Sequence, residues 1–411
     1  YHTREVALRL AKLTGAVVIM GSATPDVTSY YRATRNEFRL LELPKRIVAN
    51  GDSPPASAAP GVGGARVETH LPQVEIVDLR EELREGNRSI FSSALSQAIG
   101  SALDATEQVI LFLNRRGSAT FVQCRECGHA LRCRRCEVAL TYHSAWDRMV
   151  CHHCSQRTPR PQACLKCNSG RISYLGLGTQ RVEEEVQQSF PKARVLRWDR
   201  DVTGGARSHE ELLQKFLAHE ADVLIGTQMI AKGLHIPRVT LVGVISADVG
   251  MNLPDFRAGE RTFQVLNQVA GRAGRGPLGG RVIVQTFNPT HYAVVSAAHH
   301  DYDAFYQQEI GYRRRHSYPP FSNLARLVYS HTSFAYAQRE AQQMARVLRR
   351  ERDSRGAPDT EVLGPVPCYV SRIRGRYRWQ ILIRAPDPVG FLEDIPIPDR
   401  WAVDIDPVTV L

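Results

Sequence analysis

Apolar residues along this chain switch between two spacings, and the switches mark out its elements. Near the start, the helical spacing of REVALRLAKLTG gives way to the continuous apolar run AVVIMGSAT, then to a second helical stretch and to FRLLELP. The pattern predicts helix, buried strand, helix and strand, one α/β unit of the kind found in parallel sheets. From Ala49 to Pro72 periodicity stops: NGDSPPASAAPGVGGARVETHLP is rich in Pro, Gly, Ser and Ala and predicts a linker. Regular alternation then resumes. It predicts strand VEIVDL, helix SSALSQAIGSALDA, strand QVILFLN, an interruption, helix TQRVEEEVQQSF, strand ARVLRWD, helix SHEELLQKFLA, strands ADVLIGT and TLVGVISAD, helix AGERTFQVLNQVAGRAGR and strand RVIVQTF. Apolar strands alternating with amphipathic helices predict a parallel sheet covered on both faces. Beyond Pro289 the pattern changes. Strand LARLVYS, helix AQREAQQMARVLRRERDS, strands near VLGPVPCYV and RWQILIRA and a terminal VDIDPVTVL predict a small α+β domain.

The interruption carries the strongest chemistry. Eight of the nine cysteines fall in four C-x-x-C pairs: Cys124/Cys127, Cys133/Cys136, Cys151/Cys154 and Cys164/Cys167. One tight turn can present two thiolates to a single metal, and structural Zn²⁺ takes four thiolates in a tetrahedron. The pairs therefore predict two closed zinc sites of four thiolates each, with iron–sulfur or disulfide chemistry as the alternatives. Spacing alone fits either a sequential or a nested pairing. Cys368 stands apart and reads as a small buried apolar residue.

Composition narrows the setting. A chain of 411 residues holds two to four domains, and no apolar run in it is long enough to span a bilayer. Zinc-ligand spacing in place of a disulfide framework points to a reducing, cytoplasmic compartment. The formal charge of +11 favours a polyanionic partner, although only six of the 53 basic residues are lysines, an arginine bias that genome composition alone can produce. From Arg115 to Arg171 there are eleven Lys/Arg against three Asp/Glu, a local excess of +8. Two zinc ions held by eight thiolates would return about −4 of that, leaving a modestly basic segment. Its aromatics Tyr142, Trp146 and Tyr174 can stack on bases or pack between knuckles.

Three further segments suit ligand binding. GSAT, Gly21 to Thr24, offers the hydroxyls of Ser22 and Thr24; IGTQMIAKGLHIP puts Thr227, Gln228, Lys232 and Gly233 just after a buried strand, where open parallel sheets bind ligands. In QVAGRAGR, Gln268 to Arg275, Arg272 and Arg275 can reach a phosphate with permanently charged forks. Each segment alone is equally a turn, an N-cap or a glycine-capped helix end. Their order, on successive strand ends, is more specific than any one of them.

That order resembles the superfamily 2 helicases, and the octa-cysteine insertion narrows the resemblance to the PriA family of primosomal replication-restart DNA helicases, also called primosomal protein N′. ILFLNRRG, LTYH, GLGTQRVEEE, PDFRAGERTFQ, SYPPF and GRYRWQ carry it along nearly the whole chain. The resemblance implies an α/β fold of RecA-like helicase lobes, with a remnant of the first lobe over 1–48, a linker over 49–72, and a complete second lobe over 73–290. An inserted two-zinc module would occupy 120–172 and a C-terminal α+β domain 291–411. It also implies motif III on Ser22, Ala23 and Thr24, motif IV on Asn114 to Gly117, motif V on Gly226 to Gly233, and motif VI on Gln268, Arg272 and Arg275. The zinc pairing it implies is nested: Cys124, Cys127, Cys164 and Cys167 for one ion, Cys133, Cys136, Cys151 and Cys154 for the other. Ser155 and Leu165 stand where Gly and Pro are common in such knuckles.

The activity implied is ATP-driven 3′→5′ movement on single-stranded and forked DNA. Gln268, Arg272 and Arg275 would act at the γ-phosphate, and Ser22, Thr24, Thr227, Gln228, Lys232 and Gly233 would join the nucleotide site to the DNA groove. Zn²⁺, ATP and Mg²⁺ are the implied cofactors; primosome proteins, a replicative helicase loader and single-strand-binding protein are the implied partners, with no membrane. One departure is large: the sequence contains no G-x-x-x-x-G-K-[ST] and no DExH carboxylates. The family carries both ahead of the point matching Tyr1, so the chain is expected to be part of a longer protein and inactive as an ATPase alone. The competing readings are a non-enzymatic zinc-containing DNA-binding or scaffold protein and an RNA-directed helicase.

Overall fold

A computed structural model of the chain describes residues 3–43, 72–113, 121–143, 146–175, 178–199, 206–227, 236, 238–273 and 279–411. All of the linker except Pro72 lies outside them. The chain opens with helices α1 (Thr3–Thr14) and α2 (Val27–Thr34). The Asp26 side chain caps α2 by accepting from the Ser29 N–H, and Val27 is fully buried. Neither AVVIMGSAT nor FRLLELP is a strand. Val17, Ile19 and Leu43 are 87%, 89% and 93% exposed, and no strand of the three sheets comes from either segment. A strand needs a neighbour for its backbone donors and acceptors, and apolar content does not supply one.

The large sheet begins with β1 (Gln73–Asp78), followed by α3 (Leu79–Arg84), α4 (Ser93–Asp104) and β2 (Gln108–Phe112). Next comes the Cys-rich insertion: β3 (Phe121–Cys124), β4 (Thr141–His143), β5 (Arg148–Val150), β6 (Arg157–Pro159) and β7 (Ile172–Leu175), an antiparallel sheet in the order β6-β5-β4-β3-β7. The chain returns through α5 (Thr179–Ser189), β8 (Val195–Trp198), α6 (Ala206–Leu217), β9 (Val223–Gly226), β10 (Val239–Val244), α7 (Asp248–Met251), α8 (Ala258–Ala270) and β11 (Arg281–Thr286). The six strands pair all-parallel in the order β1-β11-β10-β2-β9-β8.

Side chains alternate across the pleat, which is why β2 can be apolar at nearly every position. Val109 and Leu111 join a core with Leu95, Ile99, Val182 and Val186 of α4 and α5. Ile110 and Phe112 join the opposite one, with Phe216, Phe263 and Leu266 of α6 and α8. Helix α4 is held at its start by Ser92, whose hydroxyl accepts from Leu95 N–H and whose own N–H donates to Gln285 of β11.

Helices α9 (Tyr292–Ala298) and α10 (Tyr302–Arg315) pack behind the large sheet. The chain ends in β12 (Asn323–His331), α11 (Phe334–Ser354), β13 (Glu361–Ile373), β14 (Arg376–Ala385), α12 (Pro388–Glu393) and β15 (Trp401–Ile405). These strands form an antiparallel sheet, β13-β14-β12-β15, and the Ala337, Ala341, Met344, Ala345 and Leu348 stripe of α11 buries one face of it. No described helix is long and apolar enough to cross a membrane.

Candidate metal centres and the helicase-type motifs

All four C-x-x-C turns fold alike. The N–H four residues after the first cysteine donates back to its carbonyl: Gly128 to Cys124, Glu137 to Cys133 and Asn168 to Cys164 at 2.9 Å, and Ser155 to Cys151 at 3.1 Å. Each first cysteine in turn donates its N–H to the residue five on, His129, Val138, Gln156 or Ser169, at 2.9 Å. The returning residue is left-handed each time, with φ of +72° at Gly128 and 56°, 66° and 57° at Glu137, Ser155 and Asn168. Such a φ strains an L side chain, and only a fixed turn maintains it. Ser155 is further held by its hydroxyl, which donates to Pro365 O at 2.6 Å.

The turns assemble in nested fashion. Sγ atoms of Cys124, Cys127, Cys164 and Cys167 lie within 4.8 Å of one another, as do those of Cys133, Cys136, Cys151 and Cys154. The Cys124–Cys167, Cys127–Cys164 and Cys133–Cys154 sulfurs are 3.6 Å apart. A tetrahedron of four sulfurs around zinc, with bonds of about 2.3 Å, has edges of roughly 3.8 Å, and a disulfide is about 2.05 Å long. Both clusters therefore fit zinc. Hydrogen bonds from Cys136 and Cys151 lower Cys133 to about 7, while burial pushes Cys127 up to about 12. Cys164, against its burial, falls to about 7 under the backbone N–H groups of Cys167 and Lys166. Four crowded thiols cannot all ionise unless a cation joins them.

The outer cluster sits on the carboxyl edge of the large sheet. Gly128 packs so closely there that a Cβ would lie 1.9 Å from Phe287 O. Beside it Gln123 Nε2 donates to Gly128 O at 3.0 Å and to Asp248 Oδ1 at 2.8 Å, and Asp248 Oδ2 accepts from Phe287 N–H at 2.9 Å. Burial pushes the Asp248 carboxyl above its ordinary range. The inner cluster instead faces the C-terminal sheet. His152 Nδ1–H donates to Pro367 O at 2.8 Å, and Gln380 Nε2 donates to His152 O at 3.0 Å. His153 Nε2–H donates to Pro254 O at 3.1 Å. The Tyr318 hydroxyl stands 3.0 Å from His153 Nδ1 and 3.1 Å from Cys136 O. Burial keeps both histidines neutral, His152 down to about 3.

The helicase-type segments are arranged differently from the expectation of successive strand ends. Thr227 does follow a strand, β9, beside the end of β2, where Leu113 N–H donates to Gly226 O at 2.9 Å. Ser22 and Thr24 follow none; Thr24 N–H donates to Ser22 Oγ at 3.1 Å, and Gln264 of α8 reaches Thr24 O at 3.4 Å. Helix α8 returns antiparallel to the strands. Its end, near Asn267, meets His300 at 3.3 Å, and His300 meets Pro72 O, at the start of β1, at 3.3 Å. Exposed Gln268 and half-buried Arg272 therefore lie toward the edge where the strands begin, opposite Thr227. Asn114 to Gly117, Gln228, Lys232, Gly233 and Arg275 lie outside the described residues.

Trp146 packs against the core of the C-terminal sheet, with His143 stacked at 5.2 Å and Arg157 over its ring at 4.7 Å. Tyr142 donates to Asp147 Oδ1 at 2.9 Å beside the inner cluster; the Tyr174 side chain is outside the described residues. Several residues had no assignment from sequence. His152 and His153 inside CHHC and Tyr318 inside SYPPF carried a signal, two imidazoles within a knuckle and an aromatic in a quoted motif. Glu260 lies inside the quoted PDFRAGERTFQ, whereas Gln123, Asp248 and the Arg313 and Glu309 buried with Glu260 carried no signal. Arg313 pairs with Glu260 at 2.7 Å and Glu309 at 2.9 Å, and Glu260 accepts the Val27 N–H at 2.8 Å.

Comparison with known proteins accords with this geometry. Residues 133–159 match the PriA DNA helicase Cys-rich region domain, 162–277 the helicase conserved C-terminal domain, and 314–408 the primosomal protein N C-terminal domain. The chain is 44% identical over 384 residues to replication restart protein PriA of Bacillus subtilis, covering 93% of this chain and 45% of that protein. It is 39% identical over 426 residues to that of Synechocystis, covering 100% of this chain and 48% of that one, and 40% identical over 420 residues to that of Treponema pallidum, covering 100% and 60%. The chain thus spans about half the length of the curated relatives it matches.

Proposed function

The chain belongs to the PriA family of replication restart proteins, and from that premise we propose that it supplies the second lobe, zinc module and C-terminal domain of an ATP-dependent 3′→5′ DNA helicase. That helicase would recognise stalled or branched forks and promote reloading of the replicative helicase in the cytoplasm. The observation that carries the reading is the union of two nested four-cysteine clusters with an all-parallel sheet in the region matching the helicase C-terminal domain.

In this reading Arg272 and Arg275, with Gln268, close on the γ-phosphate of ATP and stabilise the charge that develops there. The 411 residues hold no G-x-x-x-x-G-K-[ST] and no DExH pattern, so ATP turnover is proposed for a protein of the relatives' length. Thr227, Gln228, Lys232 and Gly233 line the route to single-stranded DNA. Ser22 and Thr24 lean on α8 through Gln264, the helix that also carries Gln268 and leads to Arg272. A shift of α8 on nucleotide binding would move both. Zinc, held by the eight cysteines, is structural: it closes the knuckles that brace the large sheet against the C-terminal sheet. Primosome proteins, the helicase loader and single-strand-binding protein are the partners proposed.

The test is ATP turnover by a protein completed with the length its relatives carry, with forked DNA or RNA as activator. Stimulation by forked DNA, with kcat lowered about 10³-fold or more in Arg275→Ala and poorly rescued by Arg275→Lys, is the expected result. Equal stimulation by RNA would indicate an RNA-directed enzyme. Turnover indifferent to Arg275 would overturn the role given to QVAGRAGR, and no turnover with either activator would leave a zinc-containing DNA-binding scaffold.

A further inference from the structure

We propose that the cleft between the first knuckle and the carboxyl edge of the large sheet binds one phosphate oxyanion, and that the phosphate is one of a DNA strand's backbone. The choice of DNA rests on the function proposed above; the oxyanion chemistry does not. The cleft measures about 120 Å³, and its polar lining is His129, Arg132, Lys166, Asn252, Asn288 and His291, with Cys127 of the outer cluster at one wall. It is well below the roughly 300–1,000 Å³ of sites that enclose whole organic ligands, so it suits a single tetrahedral ion.

Apart from the Cys127 sulfur, which belongs to the outer cluster, its charge is one-sided. No carboxylate lines it, and the ion pairs of the zinc module run through Arg84, Arg135 and Arg171 with Glu126 and Glu361. Neither Arg132 nor Lys166 has a carboxylate partner among the described residues. The Arg132 fork is nonetheless held in place: Nη1 donates to Glu137 O at 2.9 Å and Nη2 to Asn252 Oδ1 at 3.4 Å. Of its five N–H donors, three then have no described acceptor. On the opposite wall His291 Nδ1 accepts the Ala293 N–H at 3.2 Å. Burial keeps that ring neutral, so its proton is on Nε2, for which the described residues offer no acceptor. Both walls are fixed relative to each other, by the Gly128–Phe287 approach and the Gln123–Asp248 hydrogen bond. Donors set in advance around a polar cavity are what an oxyanion site needs. A zinc centre of four thiolates, net −2, would draw on the same cations, but it leaves the Asn288 and His291 donors of the far wall unexplained.

The experiment compares the chain with Arg132→Gln/Lys166→Gln and with Asn288→Asp, which sets a carboxylate at the far wall without touching a knuckle. Inorganic phosphate binding is followed by ³¹P NMR, single-stranded oligonucleotide binding by anisotropy across a salt series, and zinc by elemental analysis. Phosphate binding should fall at least tenfold in both variants, and the slope of log K against log salt should drop by about 0.7, one phosphate contact on a single strand. Loss of phosphate binding with an unchanged DNA slope keeps the oxyanion site but overturns DNA as its source. Unchanged phosphate binding with two zincs retained overturns the site, and the cations then serve only the thiolates. If the double variant sheds zinc, Asn288→Asp alone decides between these outcomes. A chain that binds phosphate but no DNA sinks the DNA-binding reading of the protein and leaves the site standing.

Discussion

In the inner cluster Cys133, Cys136 and Cys151 are buried, His152 is tied to the C-terminal sheet, and His153 meets Tyr318 and, between α7 and α8, Pro254; in the outer cluster Cys124 and Cys164 are buried, Cys127 is half-buried, Cys167 is exposed, and contact is with the large sheet through Gly128 and Gln123. The turns themselves are the same, hydrogen bond for hydrogen bond. One local device thus serves two different junctions. The inner cluster is part of an interface core; the outer one is a surface clamp whose grip depends on one close backbone approach.

The comparison breaks most clearly at the ligands. Cys151→Ser should remove one zinc of two and cost more than about 4 kcal/mol, since structural zinc contributes about 10–16 kcal/mol of apparent binding energy and its loss is among the largest single-site effects. Limited proteolysis should then cut between the module and the C-terminal sheet. Cys167→Ser should also remove one zinc but fray only the outer knuckle, leaving the C-terminal sheet protected. Equal proteolysis of both variants would mean that the clusters are one coupled unit.

Gly128→Ala sharpens the outer half of the comparison. Gly128 and Gly375 both have positive φ, +72° and +78°, but only Gly128 faces a carbonyl oxygen where its Cβ would go. Urea unfolding should show a cost of about 3 kcal/mol at Gly128, from left-handed backbone and overpacking together, and about 1–2 kcal/mol for Gly375→Ala. Similar costs would mean that the knuckle does not press on the sheet.

Tyr318→Phe tests the inner half more gently. Removing the hydroxyl takes away the one O–H that stands between His153 Nδ1 and Cys136 O, at about 1–2 kcal/mol. Both zincs should remain, and thermal unfolding of the C-terminal sheet should move more than that of the large sheet.

The smallest effect is a pH dependence where the two halves meet. Burial would raise Asp255, but Arg261, the Arg257 N–H and the Thr409 hydroxyl outweigh it and hold the carboxyl below its ordinary value. A depressed folded-state value means the stabilisation is complete above the unfolded carboxylate value, about 3.9, and is lost as pH falls from there through the lower folded one. Acid titration of the tail at Val408 and Thr409, by hydrogen exchange, should show this loss, and Asp255→Asn should flatten it.

The strands of the large sheet, the long amphipathic helices and the four knuckles were legible in the residues, because each rests on a local rule: alternation, period 3.6, or two thiols on one turn. AVVIMGSAT shows the limit of that legibility. Its composition is that of a buried strand, yet Val17 and Ile19 are exposed, since a strand also needs a partner that no local pattern specifies. Arg272 shows another limit: a helix and its glycine cap could be read, but not the sheet edge to which the returning helix carries it. The sequence by itself determined that eight thiols would stand in pairs and that a parallel sheet would be interrupted by them. Only the tertiary structure decided which pairs share a cluster, which cluster is buried, and that Gln123, Asp248, His152, His153 and Tyr318 hold the module in place. The reason is physical: a turn is closed by neighbours a few residues away, whereas burial and a polar side chain's partner depend on elements more than a hundred residues apart, brought together only when the whole chain packs.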